Sequence, residues 1–168
     1  MKGLALSVAM MAALGLAGCY YDNEGAALAD PKGDITATST FGSGPEQVWI
    51  DKAKANFRHG EYGLAERYYR QAIEERAQNA EAWLGLAASY DHLKRFDEAD
   101  RAYQMVRKLT GPTPIYLNNL GYHYMLKGEF GNAEHALLTA QAQDPNNPLI
   151  LANLALLADW KAAAGRRG

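Results

Sequence analysis

A chain of 168 residues with 48% hydrophobic and 21% charged side chains has the balance of a folded soluble domain, and 17 basic against 19 acidic side chains leave a formal net charge of −2. A nucleic-acid binder shows a basic stripe or a pI above about 9; here the pI is about 6.1 and the signs are mixed along the chain, which sets nucleic acid aside as a partner. The single cysteine, Cys19, excludes an intramolecular disulfide, so packing alone must hold the fold.

Lys2 gives the chain a minimal positive start, and residues 3–17 form an uncharged apolar stretch too short to span a bilayer. Leu16-Ala17-Gly18-Cys19 follows at once and resembles a bacterial lipobox, in which small residues let the signal peptidase close on the backbone before the cysteine. The resemblance implies a signal peptide over residues 1–18 and a diacylglyceryl group on the Cys19 thiol. An amide-linked chain on the new N-terminus would strengthen the anchor, each buried methylene contributing about 0.8 kcal/mol. Tyr20 rather than Asp follows the cysteine, which in enteric-type sorting favours the outer membrane. The expected location is therefore the bacterial envelope, lipid-anchored and facing the periplasm. Residues 19–45 read as the lipidated cysteine and a tether, with glycines at 25, 33, 42 and 44, Pro31, a Thr-Ala-Thr-Ser-Thr run and no hydrophobic period. As a flexible coil of this length it would reach about 25–30 Å. Tyr20-Tyr21 and Phe41 keep open the alternative of a docking peptide.

From residue 46 a period of 34 takes over. Ala53, Ala87, Gly121 and Ala155 share one register, and Ala65, Ala99 and Ala133 another. Trp49, Trp83, Leu117 and Leu151 share a third; Tyr62, Phe96 and Phe130 a fourth; Tyr69, Tyr103 and Leu137 a fifth. A repeat at this period signals stacked helical hairpins. The small positions let paired helices approach and the bulky ones fill the space between hairpins. Asn79, Thr113 and Asn147 stand 34 apart as N-cap residues, with Pro114 and Pro148 at the first helical position, and Ser43-Gly44-Pro45-Glu46 resembles a capping box. Gly60 and Gly128 mark turns within hairpins, where the middle unit carries Lys94. The pattern predicts helices over 46–59, 62–76, 80–92, 96–109, 114–127, 130–143 and 148–163.

Trp83-x-x-Leu86-Ala87-x-x-Tyr90 with Phe96, Ala99 and Tyr103, and Leu117-x-x-Leu120-Gly121-x-x-Tyr124 with Phe130, Ala133, Leu137 and Pro145, resemble the tetratricopeptide repeat. The resemblance implies an all-α fold: a right-handed superhelix of three hairpins (46–79, 80–113, 114–147) plus a C-terminal capping helix (148–163), ahead of a tail over 164–168. Lys52 and Asn56 replace the apolar residues of later units, as suits a first hairpin with nothing stacked before it. In this family the first helix of each hairpin lines a concave groove. Carried over position by position, the partner-binding residues are Gln47, Ile50, Lys54, Phe57 and Arg58; Glu81, Leu84, Ala88, Asp91 and His92; and Ile115, Asn118, Tyr122, Met125 and Leu126. That groove leans apolar and suits a helix or extended peptide, although neighbouring helices are expected to bury about half of these side chains. Ile50 and Gly85 stand where the carboxylate clamp of chaperone-binding members needs polar groups, so that recognition is not expected. Asn119 and Asn153 share a register and are expected to make interhelix hydrogen bonds.

A catalytic reading fares poorly. His59, His92, His123 and His135 show no metal-ligand spacing, and adjacent Asp91 and His92 point about 100° apart on a helix, so they cannot form a base and its orienting acid. Glu66 and Arg70, four apart, read as a helix-surface ion pair. No catalytic residue, metal or cofactor is expected. The function expected is an anchored periplasmic adaptor that binds a segment of another envelope protein; short lipobox-plus-repeat chains resemble the assembly lipoproteins of Flp (Tad) and type IV pili. The alternatives are a scaffold recruiting a peptidoglycan or cell-division enzyme, and a lipoprotein that self-associates through its apolar C-terminal edge at Trp160 and residues 162–164.

Overall fold

The computed structural model describes residues 44–166; Cys19 and its lipobox-like tetrad, the tether up to Ser43, and residues 167–168 lie outside them. The described residues form seven helices and no strand: α1 Pro45–Arg58, α2 Tyr62–Glu75, α3 Ala80–His92, α4 Phe96–Thr110, α5 Pro114–Leu126, α6 Phe130–Gln143 and α7 Pro148–Gly165. Pairs α1–α2, α3–α4 and α5–α6 pack as hairpins, and α7 lies against α6 and α5. The observed bounds fall within two residues of those the period predicts.

The local chemistry that starts and stops the helices follows the repeat. Asn79 accepts from the Ala82 amide at 3.0 Å, Thr113 from Tyr116 at 3.3 Å, and Asn147 from Leu149 at 3.0 Å, each filling an orphan donor of a first turn. The first helix departs from this: its N-cap is Gly44, with no side-chain cap bond, and Glu46 turns inward to Arg76 at 3.2 Å. At the three hairpin turns Gly60, Lys94 and Gly128 hold φ of 76°, 58° and 77°. Their amides bond to Phe57, Asp91 and Met125 at 3.0, 3.0 and 2.9 Å. The lysine therefore makes the same left-handed turn as the glycines, at a Cβ cost of roughly 1–2 kcal/mol that the turn's hydrogen bonds must offset.

Packing explains the small residues. Ala53 and Ala65, Ala87 and Ala99 are fully enclosed where hairpin helices meet, and a Cβ at Gly121 would lie 2.6 Å from Leu137 Cγ. Between units, one acid on each second helix reaches a cation of the next hairpin or of α7. Glu66 pairs with Arg95 at 2.9 Å, Asp100 with Lys127 at 3.0 Å, and Glu134 with Lys161 at 3.0 Å. Glu66, Asp100 and Glu134 are 34 apart, so the repeat carries an electrostatic ladder beside its apolar one. The predicted Glu66–Arg70 pair forms at a looser 3.6 Å.

The ends differ from the middle. At the first hairpin Lys52 lies over the Trp49 ring at 4.5 Å and Asn56 bonds its own helix at Lys52 O, so both polar residues stay on the outside as expected of a cap. At the other end α7 buries Ile150, Asn153, Leu156 and Leu157 but leaves Leu151 43% exposed and Ala155 open. The core itself is in two pieces. One runs from Ile50 through Tyr69 and Tyr103 to Tyr116; the other gathers Tyr122, Met125, Leu137, Leu156 and Leu157.

Candidate functional site

The first helices α1, α3 and α5 stand in one row, each touching the next. Of the fifteen groove residues carried over by resemblance, Ile50, Phe57, Leu84, Ala88, Asp91, Asn118, Tyr122 and Met125 are buried; Gln47, Lys54, Glu81, His92, Ile115 and Leu126 are half-buried and only Arg58 is exposed. Burial thus takes eight of the fifteen, close to the half expected. Ile50, Phe57, Leu84 and Ala88 belong to one core cluster and Tyr122 and Met125 to the other. The half-buried and exposed margin of the row is Gln47, Lys54, Arg58, Glu81, His92, Ile115 and Leu126. Lys54 and Glu81 form an ion pair that joins α1 to α3. Asn118 turns inward as well, accepting from Asn153 Nδ2 at 2.8 Å, whereas Asn119 bonds within its own helix to Ile115 O. The asparagine bridge between helices therefore uses Asn118 and not its neighbour.

Asp91 has a partner that sequence reasoning missed. His123, 32 residues away on α5, brings Nδ1 to within 2.5 Å of its Oδ1, and the Tyr103 hydroxyl donates to Oδ2 at 2.9 Å. The other ring nitrogen, Nε2, faces Asp100 Oδ1 at 3.0 Å, and Asp100 Oδ2 accepts from Lys127 at 3.0 Å. The Asp91 and His123 side chains are fully enclosed. The result is a polar seam linking α3, α4 and α5 where the apolar core is divided. Burial pushes the Asp100 carboxyl up, but the hydrogen bonds from Lys127 and His123 outweigh it and hold the group below the usual aspartate range. A signal was available: Asp91 holds the register of Phe57 and Met125, an acid in an apolar place.

The seam has the parts of an acid–base dyad without its access. A catalytic histidine needs one nitrogen free for substrate, and both nitrogens of the fully enclosed His123 ring face carboxylates. The described residues contain no group of three or more His, Cys, Asp or Glu placed to hold a metal ion. His92, the other histidine in the row, stacks on Tyr62 at 4.1 Å with Phe57 edge-on to both rings. Burial lowers its pKa below the ordinary histidine value, and nearby Asp91 only partly opposes this.

With this geometry in hand, comparison with known proteins is informative about the fold. A sequence model of the tetratricopeptide repeat matches residues 56–118. Among solved structures, the first TPR domain of human RPAP3 superposes with a TM-score of 0.64 at 18% identity, covering 72% of this chain and 95% of that one. The second TPR domain of human RPAP3, in complex with an HSP70 peptide, gives 0.57 at 20% identity, covering 66% and 92%. The Yersinia enterocolitica type III secretion chaperone SycD, in complex with a peptide of the translocator YopD, gives 0.58 at 19% identity, covering 72% and 92%. No curated protein matches the chain. Residues 56–118 match the tetratricopeptide repeat, and the all-helical stack around them has the fold of a tetratricopeptide-repeat superhelix.

Proposed function

We propose that this chain is a lipid-anchored periplasmic adaptor that holds a segment of another envelope protein against the row of first helices, assisting assembly of a complex such as a pilus or secretin. The observation that carries this reading is the unbroken row itself: the 34-residue register sets α1, α3 and α5 side by side and leaves a continuous margin from Gln47 to Ile115 accessible. The human RPAP3 domain and SycD, which share the fold, are each seen with a peptide, and repeats of this architecture present extended concave surfaces. The lipobox-like Leu16-Ala17-Gly18-Cys19 supports the anchor, and the tether that follows gives the repeats reach. The work is to hold and to place.

The test is a photoreactive residue at Ile115, which is half-buried on the row, in the lipidated chain beside a Cys19→Ala control. Tyr122 lies too deep for this purpose. Capture of a secretin or pilus subunit that weakens in the control supports both the groove and the anchor. Capture of no envelope subunit by either form sinks the reading. A second reading, self-association, is favoured by one observation: Ala155 is exposed on α7 where the three hairpins bury Ala53, Ala87 and Gly121 under a second helix, and Leu151 is exposed beside it. Crosslinking at Leu151 between copies, with none at Ile115, would select it.

A further inference from the structure

The three hairpins do not stack equally closely: α3 lies flush on α2, whereas α5 stands off α4. The register explains why. Trp83 lies at the first junction and ties it with an indole bond to Ala77 O at 2.8 Å, and Ile73 packs against the same core cluster. Thirty-four residues on, the same two places hold Leu117 and Arg107. A tryptophan has become smaller and an isoleucine has become a cation that keeps to solvent. The space left is a cleft of about 310 Å3 between the end of α4 and the flanks of α5 and α6. Its floor is Leu117, Leu120 and Ala136; Tyr116 and Tyr124 stand along it, with Arg107 and His135 at the rim. No carboxylate lines it. Arg107 lies near enough to the Tyr116 phenol to work against the rise that burial imposes on that group.

The geometry points to this cleft as a second docking site, one that takes an acidic segment of a partner protein presenting a single aromatic side chain. The volume sits at the small end of ligand pockets and suits one ring on the apolar floor between the two tyrosines. The charge balance decides the rest: a guanidinium with no carboxylate in the lining favours carboxylates on either side of that ring, and it can hold one through two parallel bonds. The cleft uses residues 116, 117, 120 and 124 of α5, a different flank from the one bearing Ile115, so it goes beyond the reading of the first-helix row and either can fail alone.

The experiment is fluorescence anisotropy of the full chain with a fluorescein-labelled synthetic peptide carrying one phenylalanine between glutamates. Two controls replace the glutamates by lysines or the phenylalanine by alanine. Binding of the first peptide alone, weakening with added salt, is expected. Arg107→Glu, at an exposed side chain, should weaken it about tenfold or more, the loss of one charge-assisted contact. Leu117→Trp restores the residue of the first junction and should close the cleft and abolish binding, with the thermal unfolding of both variants followed in parallel. If the wild type binds none of the peptides, or binds the acidic one with an affinity that Arg107→Glu leaves unchanged, the proposal is overturned.

Discussion

His123 is the residue whose loss the structure makes most costly to repair. Replacing it with leucine keeps most of the volume but removes both ring nitrogens. Asp91, fully enclosed, would retain only the Tyr103 hydroxyl at 2.9 Å. Asp100, about a third exposed, would keep Lys127 and the solvent. Removing one partner from a buried ion pair costs about 3–5 kcal/mol, while a partly exposed pair contributes less than about 1 kcal/mol. The expected loss for His123→Leu is therefore about 3–4 kcal/mol and comes almost wholly from stranding Asp91. Against a typical domain stability of about 5–15 kcal/mol this is large but measurable. Adding Asp91→Met returns the apolar residue that Met125 represents in the same register, and Tyr103 keeps its contact with Asn119 O at 3.3 Å. Buried ion pairs replaced by well-packed apolar residues are often neutral in stability. The double variant should therefore regain about 2 kcal/mol or more over the single one, a coupling within the range seen for residues in contact. Urea unfolding followed by far-ultraviolet circular dichroism, with the slope unchanged between variants, provides the numbers. If the double variant is no more stable than His123→Leu alone, the seam is not a closed charge network and the reasoning fails.

Other consequences are simpler to read. Lys94→Gly relieves a left-handed turn that already has its hydrogen bonds, so it should add up to about 1 kcal/mol and raise the melting temperature by a few degrees; no gain would mean the lysine is not strained. Gly85→Ala should cost about 1–3 kcal/mol despite alanine's better helix propensity, because the new Cβ would run into the ring of fully buried Tyr69; equal or higher stability in calorimetry would show that α2 and α3 can part freely. For His92, whose folded pKa is depressed by burial, the unfolded chain takes up its proton first as pH falls. Stability should then decline below about pH 6.5 until the folded group also titrates, and His92→Leu should flatten that decline. A variant with the same pH slope as the wild type would assign the effect elsewhere.

Much of the fold was legible because each element depends on short-range chemistry repeated on a strict period. Asn79, Thr113 and Asn147 cap helices through contacts two or three residues away, and Ala53 or Ala87 permits close approach whatever lies beyond. The groove was less legible. A register assigns Ile50, Leu84 and Tyr122 to a face, but how much of that face stays open depends on how closely α1, α3 and α5 approach, a property of the whole row. The seam was hidden for the same reason. Asp91 looked like half of a poor pair with His92, since nothing local connects it to His123 across 32 residues.

Three departures from the repeat nevertheless converge in space. Asp91 stands for the apolar residue of its register, and Leu117 and Arg107 stand for Trp83 and Ile73 of the preceding unit; all three lie at the junction of the second and third hairpins. A repeat protein gains nothing in stability by breaking its own pattern there: the acid must be compensated by His123, Tyr103 and, through the ring, Asp100 and Lys127, while the two other changes open a cleft that Trp83 and Ile73 close one unit earlier. Departures that weaken packing and persist together mark the places where a sequence serves something besides its fold. The polar seam gives that junction a directional tie beside its apolar contacts. On this argument the seam and the cleft are one device, and filling the cleft with Leu117→Trp should leave the stability loss of His123→Leu smaller than in the wild-type background, because the added apolar contact takes over part of the seam's work.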